Sequence, residues 1–152
     1  MNQGVGTRGP GPGGSPNSQV DGPWLDGNHT HTANNPYATF GKTTQFGSLA
    51  AASDIWVFAD DDPWTINDAA IAVIASAPDT VDYVSPFHDN GAGFAFADGH
   101  AEIHHWKSKC WIHNGPPSRA DFQAATATGA GYKDWYWWAY HATRSISNGN
   151  VP

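Results

Sequence analysis

Residues 87–106 have the sequence FHDNGAGFAFADGHAEIHHW, and this stretch decides the fold. Residues 93–97 alternate small and large side chains, and a second extended segment follows at 101–106. Between them lie Asp98 and Gly99, a pair typical of the tight type I′ turn, in which both central residues take positive φ. The stretch therefore predicts a β-hairpin with Asp98 and Gly99 as a two-residue loop.

The length of that loop sets which side chains share a face of the hairpin. With two residues in the loop, Phe96 lies opposite Ala101, and Phe94 lies opposite Ile103. Side chains alternate across a strand, so these four residues form one apolar face that is expected to meet the core. The other face carries His100, Glu102 and His104 beside small residues of the first strand, listed in order as Gly93, Ala95 and Ala97.

Composition and charge limit the class of protein. The chain has 152 residues, enough for one domain with a modest core, and only 14% of them are charged. Seventeen Gly and eleven Pro favour short strands and long irregular connections over a helical bundle. A formal net charge of −7 argues against nucleic acid and against an anionic membrane surface. Cys110 is the single cysteine, so the chain forms no internal disulfide.

Three segments are predicted along the chain. Residues 1–22 are rich in Gly and Pro and are expected to be flexible or loosely packed. Residues 23–145 form a single globular domain, and residues 146–152 are a tail. The chain shows no secretory signal and no apolar run long enough to cross a bilayer, so we expect no membrane segment in it.

Four elements are predicted outside the hairpin. Residues 53–60 are β-branched and aromatic and indicate a central strand. Residues 66–77, apolar and rich in alanine, predict a helix that ends before Pro78, with a strand as the alternative. A short helix is expected within 119–128. Residues 133–143 are too aromatic to be exposed and form either a strand or a helix that covers the sheet.

Three blocks of the sequence form a recognisable combination. His88 is followed by nine residues and then by Asp98 and Gly99, and this motif is flanked by SDIWVFADDDPWTINDAA at 53–70 and DWYWWAYHATRS at 134–145. In these blocks the chain resembles the prepilin-type processing-associated H-X9-DG domain of bacterial pseudopilin-like proteins. The resemblance covers roughly residues 50–145.

This resemblance implies an α+β fold of the pilin-like head type. It has a small antiparallel sheet with a central Asp-Gly hairpin, few short helices and much irregular coil. The implied function is structural: the exposed head of a subunit in a type II secretion or type IV pilus-like filament, periplasmic or extracellular. The family's hydrophobic N-terminal helix is not expected within residues 1–152. The implied partners are other pseudopilin subunits, or a second copy of the chain, on the exposed sheet face.

An acidic loop follows the first predicted strand. The favoured interpretation is a solvated acidic turn, and no cofactor is required. Carboxylates at this strand end also suit a hard cation, and Asp60, Asp62 and Asp68 are the candidate ligands for Ca²⁺ as the alternative. Calcium-stabilised loops in major pseudopilins support this alternative by analogy.

A second class of function is a small glycoside hydrolase acting on polysaccharide. Glu102, the only Glu in the chain, would pair with Asp60, Asp61 or Asp62 as acid and base. A third class is a carbohydrate-binding module. In both, sugars would stack on tryptophans, of which we select Trp64, Trp106, Trp135 and Trp137. The simpler interpretation is that these acids lie on the surface and the tryptophans fill the core.

The motif residues also have a structural interpretation. The Asp98 side chain can accept hydrogen bonds from amides of its own turn. His88 can hold the loop before the hairpin by donating to a carbonyl. We therefore favour structural roles for both residues, with Gly99 completing the turn. The His100, Glu102 and His104 face could bind a transition metal, but a polar sheet surface or an intermolecular contact is the favoured interpretation.

Overall fold

A computed structural model of the chain describes residues 1–5, 22, 24–27, 36–113, 115–127 and 129–151. It has an α+β fold in which a three-stranded antiparallel sheet and two helices are joined by much irregular coil. Most of the segment 1–22 lies outside the described residues. The strands are β1 (Trp56–Ala59), β2 (Gly91–Phe96) and β3 (Ala101–His105), and the helices are α1 (Arg119–Thr126) and α2 (Gly129–Tyr140).

The sheet has the order β1-β2-β3, so the predicted strand and the predicted hairpin are both present. In β1 one extra residue, Val57, interrupts the register: Trp56 pairs with Phe96, while Phe58 already pairs with Ala95. Such a bulge shifts every later side chain of the strand to the other face. The carbonyl groups of Trp56 and Val57 do not remain unpaired, because Asn2 donates to both from Nδ2 and from its backbone N–H.

The predicted register of the hairpin is wrong by one residue. The loop has three residues, Ala97 to Gly99: the N–H of Phe96 donates to the carbonyl of His100, and Gly99 N–H donates to the carbonyl of Phe96. Only Gly99 has positive φ (94°), whereas a type I′ turn would also require it of Asp98. The observed geometry is that of a type I turn followed by a glycine bulge.

This shift changes which residues share a face. Phe94 pairs with Glu102, and Gly93 pairs with Ile103. The inner face of the sheet therefore carries Phe94 and Phe96, which are buried, whereas Ala101 and Ile103 lie on the outer face and are exposed. The expected apolar face formed by all four residues does not exist, because a slip of one residue inverts one strand relative to the other.

An aromatic cluster packs beneath the inner face. The indoles of Trp56 and Trp138 stack with ring centroids 4.6 Å apart, and Trp111 lies 5.3 Å from Trp138. Phe94 meets Trp56, Trp138 and Trp137 edge to face. Edge-to-face and offset aromatic pairs add to the stability that burial alone gives. These contacts fix α2 against the sheet.

The helix predicted within 66–77 is wrong, and the strand alternative is closer. Residues 71–75 are extended and completely buried, with isolated bridges from Ile71 to Asn2 and from Val73 to Thr80. Their backbone groups bond to distant partners: Ala72 N–H donates to Asp82, and Ala75 N–H donates to the carbonyl of Leu25. A run buried on all sides has no helical periodicity.

The two helices form where the aromatic C-terminal third of the chain predicts them. Ser118 caps α1 by accepting from the N–H of Asp121. In α2 the buried residue Asp134 accepts from the backbone N–H groups of Lys107 and Ser108 and from the Ser108 hydroxyl, at 2.8–2.9 Å. This carboxylate therefore holds the segment that follows β3 against α2.

Both chain ends contact the domain. Met1 donates to the carbonyl of Ala69, and Val5 is buried. Residues 145–150 turn back on themselves through Ser145 N–H, which donates to Asn150, and Val151 reaches the core. No helix among the described residues is long and apolar enough to cross a membrane.

Candidate functional site

The outer face of the sheet carries a shallow depression of about 570 Å³, which we call the outer trough. Its floor consists of Gly93 and Ala95 on β2, and its sides rise at Phe58 on β1 and Ile103 on β3. Phe58 is 58% exposed and Ile103 is 51% exposed. The small floor and large sides follow from the pairing, because residues paired across strands share a face.

Asp60 and His88 close one end of the outer trough. The Oδ2 atom of Asp60 lies 2.9 Å from His88 Nε2 and accepts the N–H of Gly93, also at 2.9 Å. Both side chains are about half exposed, at 49% for His88 and 47% for Asp60. A Cβ atom on residue 93 would lie 2.8 Å from Asp60 Oδ2, so this approach requires glycine.

His88 belongs to a tight turn that leads into β2. Its N–H donates to the carbonyl of Gly91, and the Gly91 N–H donates back, each at 3.0 Å. Asp89 and Asn90 between them have φ of 52° and 59°, the left-handed values that a type I′ turn requires. The predicted bond from His88 to a backbone carbonyl is replaced by the bond to Asp60.

Asp98 makes the local contacts expected of a turn residue. Its Oδ1 accepts the N–H of His100 at 3.1 Å and lies 2.6 Å from His100 Nδ1. The hydrogen bond from the His100 amide, followed by that from its ring, lowers the pKa of Asp98 below its usual value. Gly99 supplies the positive φ that completes the loop.

The three consecutive acids of the acidic loop point to different partners. Asp60 faces the outer trough, and the buried Asp62 accepts the Trp64 N–H at 2.9 Å and lies 3.3 Å from His113 Nε2. Burial, and then the nearby Asp82 carboxylate, raise the pKa of Asp61 to about 6.

The predicted calcium ligands are not brought together in the structure. Asp68 accepts the N–H of Ala70 at 2.7 Å, whereas Asp60 and Asp62 have the partners given above. No group of three or more His, Cys, Asp or Glu side chains within the described part of the chain is placed to hold a metal ion. Calcium binding at Asp60, Asp62 and Asp68 stays a prediction.

Two carboxylates of the hydrolase hypothesis, Glu102 and Asp60, start from different faces of the sheet. Glu102 pairs with Phe94 and therefore starts from the inner face, at the free edge of β3. Asp60 lies over Gly93 on the outer face. Both residues line the outer trough, and the pairing of Glu102 with Asp60, Asp61 or Asp62 as acid and base stays a prediction.

The selected tryptophans do not form a sugar-binding platform. Trp106 is 5% exposed and Trp135 is fully buried, where its indole N–H donates to the carbonyl of Ile74 at 3.1 Å. Trp137 is partly buried, and the imidazole of His104 covers it at 3.6 Å. Only Trp64 of the four is freely exposed, at 61%. The prediction of Trp106 and Trp135 as sugar-binding residues is therefore corrected, because both side chains fill the core.

His141 lies beside His104 on the inner face of the sheet and was not predicted from the sequence. Its ring lies 4.6 Å from Trp137, and its Nδ1 lies 2.7 Å from the carbonyl of Asp54. Burial, followed by the positive field of His141, lowers the pKa of His104 to about 4. Nothing in the local pattern places His141 beside His104, because the two residues meet only through the packing of α2.

The residues that form the floor and sides of the outer trough were also not predicted from the sequence. The alternation of Gly91, Gly93 and Ala95 was visible in the sequence, but its meaning depends on the register of both neighbouring strands. No protein-family model matches this sequence, and comparisons with curated proteins and with solved structures return no match.

Proposed function

We propose that this chain is the globular head of a pseudopilin-like subunit in a type II secretion or type IV pilus-like system, and that its role is structural. The observation that carries the proposal is the position of the H-X9-DG residues. His88 stands at the entry of the β2-β3 hairpin and Asp98 and Gly99 at its tip, and each of them makes a contact that holds the shape of the hairpin.

The contact at the hairpin entry joins parts of the chain that are far apart in sequence. His88 bonds to Asp60, 28 residues earlier, just beyond the end of β1. Asp60 in turn accepts the Gly93 N–H of β2. A histidine at this position therefore fixes the incoming loop to two strands, which accounts for the residue without a reaction.

The surroundings of Asp60 and His88 also favour a structural role. A catalytic Asp and His pair normally activates a hydroxyl or thiol within hydrogen-bond reach. Within the part of the chain that the structure describes, the residues that line the outer trough include no Ser, Thr or Cys. Cys110 is 5% exposed, and burial raises the pKa of its thiol to about 11, so it is not a nucleophile at neutral pH.

In this proposal the open outer face of the sheet is where the head contacts other subunits of the filament. Phe58 and Ile103 place apolar surface there with nothing else among the described residues covering it. Exposed apolar surface of this kind marks interaction sites. The proposal implies a periplasmic or extracellular location, and calcium is not needed for it.

Cysteine cross-linking in the cells that produce the protein tests this function. Cys110 is buried, so a cysteine introduced as Ile103→Cys would be the only reactive thiol in the folded chain. We expect Ile103→Cys to give discrete adducts with proteins that carry a prepilin-type helix. The matched control is Ile66→Cys, at a residue that is 58% exposed and is not among the residues that line the outer trough.

Two results would contradict the structural role. One is the absence of discrete Ile103→Cys adducts, or adducts equal to those of Ile66→Cys. The other is release of sugar from polysaccharide by the purified chain, lost in Glu102→Gln with an unchanged melting temperature, which would support the hydrolase instead. Quenching of tryptophan fluorescence by a polysaccharide without product would support the binding module.

A further inference from the structure

The outer trough combines apolar sides with an acidic end. Phe58 and Ile103 stand on the outer strands, about 12 Å apart across two strand spacings and two residues along β2, and the glycine and alanine floor lies between them. Asp60 lies at one end, with Oδ2 bonded to Gly93 and His88. The described residues provide no hydrogen bond to its other oxygen, Oδ1, and the side chain is 47% exposed.

The size of this surface excludes a whole globular partner. Three strands are about 14 Å wide, and five residues of strand are about 17 Å long, so the outer face offers roughly 240 Å². A stable protein-protein interface buries about 800 Å² on each partner. The outer trough alone is therefore too small for a second copy of the chain, but its area suits a short segment of a partner.

The charge of the outer trough indicates which kind of side chain that segment carries. Among the described residues, those that line the outer trough include Asp60, Glu102 and His88 but no Lys or Arg, and the whole chain has a net charge of −7. A second copy would carry the same negative charge and be repelled. A cationic side chain is attracted to Asp60 and also to the exposed ring of Phe58.

We propose that the outer trough binds a short segment of a partner protein in which a Lys or Arg is flanked by apolar side chains. The cation bonds to Asp60 Oδ1, and the apolar side chains lie on the Gly93 and Ala95 floor between Phe58 and Ile103. This inference rests on the proposed function, because it specifies the partner of the same surface.

Selection from a library of random peptides of roughly nine residues, long enough to cross the outer trough, tests the proposal. The immobilised target is the full chain. We expect the enriched peptides to contain Lys or Arg with apolar neighbours. Titration with the best of them should move the backbone amide NMR signals of Gly93, Ala95 and Ile103.

Matched variants separate this site from general charge attraction. Asp60→Asn keeps the size of the side chain and should weaken binding of the enriched peptide about tenfold, since a charge-assisted bond is lost. Asp121→Asn removes one exposed charge elsewhere and should weaken peptide binding less than about twofold. Ile103→Ser should weaken binding, and Ile66→Ser should not.

Several outcomes would overturn the inference. They are a failure to enrich any peptide, enrichment without a basic residue, equal effects of Asp60→Asn and Asp121→Asn, or self-association of the chain that Ile103→Ser abolishes. If these occur while the Ile103→Cys adducts with prepilin-type proteins persist, the proposed function stands and only the chemistry of the partner is wrong. If the adducts are absent but peptide binding is as expected, the proposed function fails instead.

Discussion

The imidazole of His104 lies nearly parallel to the indole of Trp137, with ring centroids 3.6 Å apart and an angle of 14° between the planes. His104 Nε2 is buried and has no hydrogen-bond partner among the described residues. The residues whose charge acts on it are His141, Lys107 and His105, all of them bases. A proton on His104 is therefore disfavoured in the folded chain.

This contact predicts that acid destabilises the fold. The pKa of His104 is about 4 when folded and 6.5 in the unfolded chain, so the unfolded chain binds more protons between these values. The contribution of His104 to the free energy of unfolding is fully present above pH 6.5 and is lost as the pH falls towards 4. We expect a loss of about 1 kcal/mol at pH 5, allowing for the partial exposure of the ring.

Urea unfolding of His104→Phe at pH 7 and pH 5 checks this prediction. Phenylalanine retains the stacking on Trp137 but binds no proton, so the variant should lose less stability between the two pH values than the natural chain. Equal losses in both proteins would assign the acid sensitivity to other groups, of which His141 is the first to examine because burial lowers its pKa as well.

Asp61 has the opposite effect on the pH dependence. Its pKa is raised to about 6 by burial and by Asp82, so the folded chain favours the protonated carboxyl. The resulting penalty is absent well below pH 3.8, grows between pH 3.8 and 6, and is complete above pH 6. We expect Asp61→Asn to raise the free energy of unfolding by about 1 kcal/mol at pH 7.5.

Thermal melts of Asp61→Asn at pH 7.5 and pH 4 provide the measurement. The gain should shrink at pH 4, where the natural carboxyl is protonated in the folded chain and partly protonated in the unfolded chain. A gain of the same size at both pH values would show that the substitution acts through packing or hydrogen bonds and not through charge.

Gly93→Ala should disrupt the contact between Asp60 and the sheet. The added Cβ would meet Asp60 Oδ2 at 2.8 Å, which displaces the carboxylate from the Gly93 N–H and from His88. We expect a loss of about 1–2 kcal/mol in urea unfolding. In an Asp60→Ala background the same change should cost much less, because the clashing atom is gone; an undiminished cost there would place the strain in β2 itself.

Asp134→Ala should be among the more damaging substitutions. The buried carboxylate accepts three hydrogen bonds, two from the backbone and one from the Ser108 hydroxyl, and its removal leaves those donors unpaired. We expect a loss of about 3 kcal/mol in the free energy of unfolding. The control Asp121→Ala removes an exposed acid from the first turn of α1 and should cost less than about 1 kcal/mol.

Much of the architecture could be predicted from the sequence because it depends on local chemistry. The aromatic and β-branched run before Asp60 gives β1, the Asp98 and Gly99 pair gives a hairpin, and Ser118 starts a short helix. Each of these signals lies within a few residues of the element that it specifies.

The register and the site depend on choices that the local sequence does not settle. An Asp-Gly pair is compatible with loops of two or three residues, and the difference inverts β3. The buried run at 71–75 satisfies its backbone through Leu25 and Asp82, which no local pattern reveals. The meeting of Asp60 with His88 likewise depends on tertiary packing.

The extra residue in β1 has a consequence for how this surface could arise or disappear. Trp56 and Phe58 pair with the neighbouring residues Phe96 and Ala95, so the ladder passes over Val57. Loss of the Val57 codon would remove the bulge but leave both pairs in place, with Phe58 and Asp60 still on the outer face. Loss of one codon between Phe58 and Asp60 would instead place Asp60 opposite Phe94 and turn it away from Gly93, so in related genes the position of a length change should decide whether this surface is present.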